Sequence, residues 1–529
     1  MLTIEDLAKA LAVVPLSADG ETLPAGKLQQ PLAGFCTDTR KLERGQVFLT
    51  LKGPHFNGND YLGMACQKGA AALILDEPDR LQVQVNEGTV PAETAVLVVP
   101  DALAAYGHLA GYYRQQLPGK LVAITGSVGK TGTRDMVAAG LATVFKTKKT
   151  EANLNNYIGL AQTILGTPRE TEVLIVEAGI DGPGQMAPLA AMAAPDIAVI
   201  TMVGSSHLEH FADRKALILE KAALAKGVKP SGWLLLNACD AATETIISQV
   251  SHCQIGLIVV SDDPLAQACV PGHTLFRAAA VRVDRGGTSF SVFAHESAGK
   301  EGLHLGRIRL PAIGSHHVYN ALFACLCAYL LGADFATVAT GLARFEPTGN
   351  RQRIEEFGAV TVINDTYNAS EESMRAGFDL VSVLAGADRR LVAVLAGINE
   401  LGAESSAVHY RVGAALASHR PAAVFLLGDR SATAIAAGFK EAMTSGQADR
   451  KGQVEVPLYI FSEQTDLIKA LEDFVAAGDV IFVKGSRSYR MERVCSAISD
   501  FAVAQKEPDE AEASADIRER KEGSHVGSI

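Results

Sequence analysis

The chain has 529 residues, 48% of them apolar, which is enough for several buried cores, and no apolar run is long enough to span a membrane. Its net charge of −11 argues against a general binder of nucleic acid or anionic membrane, so an anionic ligand has to be met by local cations. Eight cysteines (Cys36, Cys66, Cys239, Cys253, Cys269, Cys325, Cys327, Cys495) lie scattered without CxxC spacing, which argues against a disulfide or zinc framework and points to a reducing cytoplasm.

The opening "MLTIEDLAKALAVVP" reads as an amphipathic helix carrying acidic residues, without the basic start of a signal peptide. Short apolar strands follow ("QVFLTLKG", "AALILD", "TAVLVVP") between helical stretches, so residues 1–112 form a small α/β domain. From Leu121 the pattern becomes strand, glycine loop, helix, with strands "KLVAITG", "EVLIVEAG" and "DIAVITMVG". Continuously apolar strands separated by helices predict a parallel sheet covered on both faces, and residues 113–346 form this second domain. Within it "AAAVRVDRGGTSFSVFAH" alternates and turns at Gly-Gly as an antiparallel hairpin, and the helix "VYNALFACLCAYLLG" stops at Gly332. "FEPTGNRQR" is a linker into a second α/β alternation over 347–505, with strands "AVTVIND", "RLVAVLAG", "AAVFLLGD" and "VIFVKGS". Residues 506–529 are acid-rich, nearly free of large apolar groups, and read as a disordered tail.

The stretch "AITGSVGKTGTRDM" carries the clearest chemistry. A glycine loop between an apolar strand and a helix offers backbone N–H groups and the positive end of the helix dipole to an anion. Thr125, Gly126, Ser127, Val128, Gly129, Lys130, Thr131 and Gly132 form that loop, with Lys130 placed for the outer phosphates and the Thr131 hydroxyl for Mg²⁺. A turn that merely allows tight packing would explain a lone glycine pair but not Gly-Lys-Thr at this junction. The loop is shorter than the usual template, which would put glycine where Ile124 stands. Glu177 ends "EVLIVEAG" at the carboxyl edge of the same sheet, where a carboxylate can hold Mg²⁺ against nucleotide oxygens. Read alone, His207 in "TMVGSSHLEHF" is an ordinary histidine and Lys221 in "LILEKAALAKG" a snorkelling lysine.

From about Phe35 to Val494 these features resemble the Mur ligase family, in which the compact Gly-x-x-Gly-Lys-Thr loop is usual. The resemblance implies three domains: an N-terminal uridine-diphosphate-sugar domain, a central ATP-binding domain with a parallel sheet, and a Rossmann-like C-terminal domain. It implies two Mg²⁺ ions, held by Thr131, Glu177, His207 and a carbamylated Lys221, the last two showing the family's fourteen-residue separation. Thr37, Asp38, Thr39, Arg40 and Phe56, Asn57, Gly58 match the family's uridine-diphosphate-sugar motifs. "TEANLNNYIGL" places Thr150, Asn153, Asn155 and Asn156 on the Thr-x-x-Asn-x-Asn-Asn signature of the D-alanyl-D-alanine-adding member. Further matches imply that Asn320, beside His316, contacts adenine, that Arg351 meets the ATP phosphates, and that Asp365 lies near the ribose. Tyr367 and Asn368 would shape the cleft, and Lys484, Ser486 and Arg487 would grip the carboxylate of the incoming dipeptide.

The implied activity is ATP-dependent amide formation, adding D-alanyl-D-alanine to a UDP-N-acetylmuramoyl-tripeptide in peptidoglycan precursor synthesis, by a cytoplasmic monomer. A lysine- or diaminopimelate-adding member, or a paralogue taking another amine, is the alternative. Departures from the family pattern lie at Gln185, Ala223, His317 and Ala396-Gly397-Ile398, several of them near where the acceptor amine docks.

Overall fold

The structure, a computed structural model, describes residues 2–204, 206–262, 273–295, 302–445 and 455–504; the tail expected over 506–529 lies outside them. Three main sheets organise the chain. In the first, Phe35–Cys36, Val47–Leu49, Ala72–Leu75 and Ala95–Val98 run parallel, with Leu16–Ser17 antiparallel on the far edge. "QVFLTLKG" is not one strand as predicted. It breaks after Leu49, and Lys52–Gly53 pairs instead with Phe56–Asn57, because Gly58 N–H reaches back to the Leu51 carbonyl at 2.8 Å. The opening helix, Ile4–Leu11, starts in a reciprocal cap between Thr3 and Asp6.

The helix Ala102–Gln116 joins this unit to the central one, and a single apolar core runs from Ile4 and Leu97 through Tyr106 and Leu109 to Leu160 and Leu189. The central sheet has nine strands. Lys120–Thr125 lies between Val173–Glu177 on one side and Ile197–Ile200 on the other, all parallel. The chain therefore leaves this strand in both directions, and the crevice at its carboxyl end is where open α/β sheets bind ligands. The predicted hairpin extends the same sheet: Thr274–Asp284 joins it parallel to Gln254–Val260, and Gly287–His295 pairs antiparallel beside it. The helix His316–Leu330 ends before Gly332, whose φ of 74° suits glycine.

In the third sheet Arg353–Phe357 is an antiparallel edge strand and the other five strands are parallel. Val480–Lys484 inserts between Val360–Asp365 and Leu391–Ala396, so the carboxyl ends of three strands distant in sequence meet at one edge. Among the described residues no helix is long and apolar enough to cross a membrane.

Candidate functional site

The phosphate loop is held by close backbone approach. Gly126 has φ 146°, and a Cβ there would lie 2.0 Å from the Thr201 hydroxyl. That hydroxyl donates to the Val128 carbonyl at 2.6 Å, while Ser127 N–H donates to the Met202 carbonyl at 2.6 Å. Gly129, at φ 88°, opens the helix Lys130–Leu141 beside the Asn320 amide. Asn320 is thus packed against the loop, accepting a hydrogen bond from the Thr133 hydroxyl at 3.0 Å. Lys130 lies over the loop and donates to the carbonyls of Gly126 and Ser127, at 2.8 and 3.1 Å. Thr125 is placed differently from the expectation of a nucleotide contact: fully buried, it donates to the Ala178 carbonyl at 2.7 Å and ties two strands beneath the loop.

Glu177 is buried at the strand end and heavily partnered. Oε2 lies 3.0 Å from the Thr131 hydroxyl and 3.3 Å from Arg134 Nη1, and Oε1 accepts from the Asn155 amide at 2.9 Å. Thr150 accepts from Glu177 N–H at 3.1 Å. Arg134 was missed by the sequence reading, although it follows Thr131 by three residues on one helix face. Its guanidinium also grips Asp135 at 2.9 Å, and Asp135 in turn accepts from Thr348 of the linker at 2.6 Å. Of the asparagine run, Asn153, Asn155 and Asn156 border the crevice. Asn156 is partly spent, its side-chain oxygen capping the helix Tyr157–Leu165 through Gly159 N–H at 2.9 Å.

Lys221 does not snorkel. It is buried at 1% exposure with its amine 3.2 Å from the Gly126 carbonyl, and burial, reinforced by the charge of Lys130, pushes its pKa well below the ordinary lysine value. His207, at φ 64°, stands beside the carboxylate of Glu400 from the C-terminal unit. Burial lowers its pKa against the opposing pull of Glu400.

Among the described residues no three His, Cys, Asp or Glu side chains gather as a metal cage. Yet the Thr131 hydroxyl and Glu177 Oε2, hydrogen-bonded at 3.0 Å, are paired oxygen donors of the kind magnesium takes. These residues fit an ion that draws its remaining oxygens from phosphate and water.

Across the cleft, Arg351 stacks its guanidinium 3.7 Å over the Tyr367 ring. Lys484 departs from its expected place at a carboxylate grip. It is buried at 1% exposure and donates to Asp365 Oδ2 at 2.7 Å and to the carbonyls of Asn368 and Asp365 at 2.9 and 3.3 Å. An ammonium has three N–H groups, and here all three serve the protein. The rings of His316 and His317 meet at a tilt of 42° with centroids 4.0 Å apart, and both residues border the same cleft as Asn320.

Two cavities result. One of about 530 Å³ is bounded by Ser127–Gly132, Glu177, Asn320, Arg351 and Asp365. The other, about 270 Å³, is bounded by Asn399, Glu400, Ser486 and Arg487. They share one wall, made of Ser206, His207, Asn368, Ala369 and Ser370. Thr37, Asp38, Thr39, Arg40, Phe56, Asn57 and Gly58 line neither and follow the carboxyl ends of neighbouring strands in the first sheet. There the Arg40 fork, at 2.8 and 2.9 Å, holds the Asp38 carboxyl down to about 2.

His409 secures the smaller cavity: its Nε2 accepts from Ile398 N–H at 2.8 Å while Nδ1 donates to the Ser405 carbonyl at 2.7 Å, which requires a neutral ring. Burial lowers the pKa of His409, and burial together with His316 lowers that of His317. Their stability contribution is fully present above the unfolded value of about 6.5 and is lost as pH falls below it. The urea midpoint is expected to drop between about pH 7.5 and 5.5, and more shallowly in a His409→Asn variant. An unchanged slope in that variant would remove His409 from the account.

The family model "Mur ligase middle domain" matches residues 124–328, and "Mur ligase, glutamate ligase domain" matches residues 344–487. The UDP-N-acetylmuramoyl-tripeptide--D-alanyl-D-alanine ligase of Bacillus subtilis (strain 168) is 31% identical over 88% of this chain and 93% of its own. The enzyme of the same name from Escherichia coli (strain K12) is 30% identical over 89% and 94%. Crystal structure I of MurF from Acinetobacter baumannii superposes with a TM-score of 0.77 at 25% identity, over 94% of this chain and 98% of that one. Two family models and relatives spanning nearly nine-tenths of its length agree with the loop, sheets and cleft: the chain belongs to the Mur ligase family.

Proposed function

We propose that this protein is an ATP-dependent ligase that joins D-alanyl-D-alanine to UDP-N-acetylmuramoyl-tripeptide, acting as a cytoplasmic monomer in peptidoglycan precursor synthesis. The observation that carries this reading is the shared wall between the two cavities, which sets a phosphate-loop cleft against a second, smaller chamber in the C-terminal unit. Relatives at about 30% identity bear this activity in their names. ATP and a nucleotide-linked peptide are both cytoplasmic pools.

A carboxylate is a poor acyl donor. Phosphorylation of the tripeptide's terminal carboxylate by ATP gives an acyl phosphate, which the dipeptide's amine attacks, and phosphate leaves from the tetrahedral adduct. Such a protein contributes positioning and charge neutralisation. The loop N–H groups and Lys130 would receive the phosphates. Thr131 and Glu177 would hold one Mg²⁺, and His207 with a carbamylated Lys221 a second; these ions would supply Lewis-acid neutralisation of phosphate charge. Arg134 and Asn155 fix the Glu177 carboxylate. Asn320 would contact adenine, and Asp365, oriented by Lys484, would meet the ribose, both residues bordering the phosphate-loop cleft. Arg351, stacked over Tyr367, would meet phosphate, and Asn368, on the wall shared by the two cavities, would help shape the cleft. Ser486 and Arg487 are the remaining groups for the dipeptide carboxylate, and Thr37, Asp38, Thr39, Arg40, Phe56, Asn57 and Gly58 would hold the uridine-diphosphate sugar. Closure about the linker near Pro347, tied to the phosphate-loop helix through Thr348 and Asp135, would exclude the water that destroys an acyl phosphate.

Purified protein offered UDP-N-acetylmuramoyl-tripeptide and ATP is expected to release phosphate with D-alanyl-D-alanine and not with lysine, diaminopimelate or glutamate. Release with one of the single amino acids instead would overturn the assigned amine.

A further inference from the structure

We infer that Glu400 is the anchor for the ammonium end of the acceptor dipeptide and sets its direction in the smaller cavity; this rests on the proposed ligase activity. Of the described residues lining that cavity, Glu400 brings a full negative charge and Arg487 a full positive one, with His207 the other titratable group and the rest neutral. A zwitterion asks for this pair of opposite charges. At about 270 Å³ the chamber is small, below the usual range for drug-sized ligands and suited to two alanine units.

Both charges border only the smaller cavity, but Glu400 Oε2 rests against His207 Nδ1, which lies on the wall shared with the phosphate cleft. A dipeptide laid between them has its amine toward the acyl phosphate and its carboxylate away from it. A carboxylate accepts up to four hydrogen bonds, so the His207 contact does not exhaust Glu400. Arg487 has five N–H donors, and its pairing with Glu492 at 3.3 Å leaves others for a carboxylate.

The backbone supports a placed side chain. Glu400 has φ 63°, which costs a non-glycine residue energy and marks functional positions. It is held there from both units: its carbonyl accepts from Glu209 N–H at 3.2 Å across the cleft, and the neighbouring Asn399 N–H donates to Ser486 Oγ at 2.8 Å. Asn399 Nδ2 also donates to Ser488 Oγ at 2.8 Å, so the Glu400 and Arg487 loops are fastened to each other.

The test compares Glu400→Gln and Glu400→Gly with the unaltered enzyme. Glycine suits φ 63° and removes the carboxylate without straining the loop. Both variants are expected to raise KM for D-alanyl-D-alanine about 10- to 100-fold, the worth of one charge-assisted hydrogen bond, with KM for ATP unchanged. The second readout is competition by N-propanoyl-D-alanine, which has the shape of the dipeptide without its amine. The unaltered enzyme should prefer the true dipeptide by a similar factor, and the variants should bind both alike. An unchanged KM, or equal weakening toward both compounds, would overturn the assignment, the latter showing that Glu400 acts only through His207. If the unaltered enzyme is inert toward D-alanyl-D-alanine, the activity falls and this anchor with it; if the unaltered enzyme is active and the variants match it, the anchor falls alone.

Discussion

Lys221→Ala is expected to lower kcat at least ~10²-fold, the loss typical of removing one preorganised charge-stabilising group. The reason lies in the surroundings of the amine. Lys221 is buried beside the phosphate loop, and burial together with the charge of Lys130 holds its pKa well below the free-lysine value. The uncharged amine is the form that would attack CO₂, forming a nitrogen–carbon bond, losing one proton to solvent and leaving a carbamate anion. An ammonium at this position would face another cation across the phosphate loop, whereas a carbamate would be attracted to Lys130 and would offer an oxygen ligand to a hard metal ion. Steady-state turnover of the variant is the measurement, and a short carboxylate such as acetate, filling the vacated volume, is expected to restore part of it. Near-normal turnover of the variant without additives would sink the carbamate.

Asp196→Ala is expected to destabilise the central unit by about 3–5 kcal/mol, the cost of leaving a buried charge without its partner. Arg114, on the helix that joins the N-terminal and central units, is 3% exposed and places Nη2 2.7 Å from Asp196 Oδ2. The same carboxylate accepts from Leu121 N–H at 2.9 Å and from Lys229 at 3.1 Å. Burial alone would raise its pKa, but the Leu121 N–H, Lys229 and Arg114 outweigh that and hold it below the ordinary aspartate value. With a folded pKa below the unfolded one, this contribution is present above about pH 4 and is lost as pH falls through the folded value. Asp196→Ala removes the anion and leaves Arg114 bonded only to the carbonyls of Ala193 and Gly119, at 3.1 and 3.2 Å. Urea unfolding with a far-ultraviolet readout checks the magnitude. A shift worth less than ~1 kcal/mol would show that water reaches Arg114 and that the joint is not a buried pair.

The strands and the phosphate loop were legible because their causes are local. Short apolar runs such as "KLVAITG", closed by a glycine, read as buried strands, and a glycine loop ahead of a helix assembles its anion cradle within ten residues. "QVFLTLKG" misled because the pull that breaks it comes from Gly58, beyond the apolar run. Family resemblance carried the reading of His207 and Lys221 further than periodicity could, since each is unremarkable alone.

Side-chain partnership was not legible. Lys484 has the look of a free cation in "VKGSRS", yet inserting its strand beside Val360–Asp365 puts it on Asp365. Arg134 and Glu400 drew no attention, and each matters only because of what a remote segment brings to it: Glu177 for the first, His207 for the second. By itself, then, the sequence determined the α/β class, the anion cradle and the metal-ready strand end, all products of short-range turn and burial patterns. The tertiary structure decided which charges are spent on neighbours and which face a cavity. That choice depends on strand order and on the approach of two units across a cleft, where electrostatic partners are picked by distance in space and burial sets the worth of each pairing.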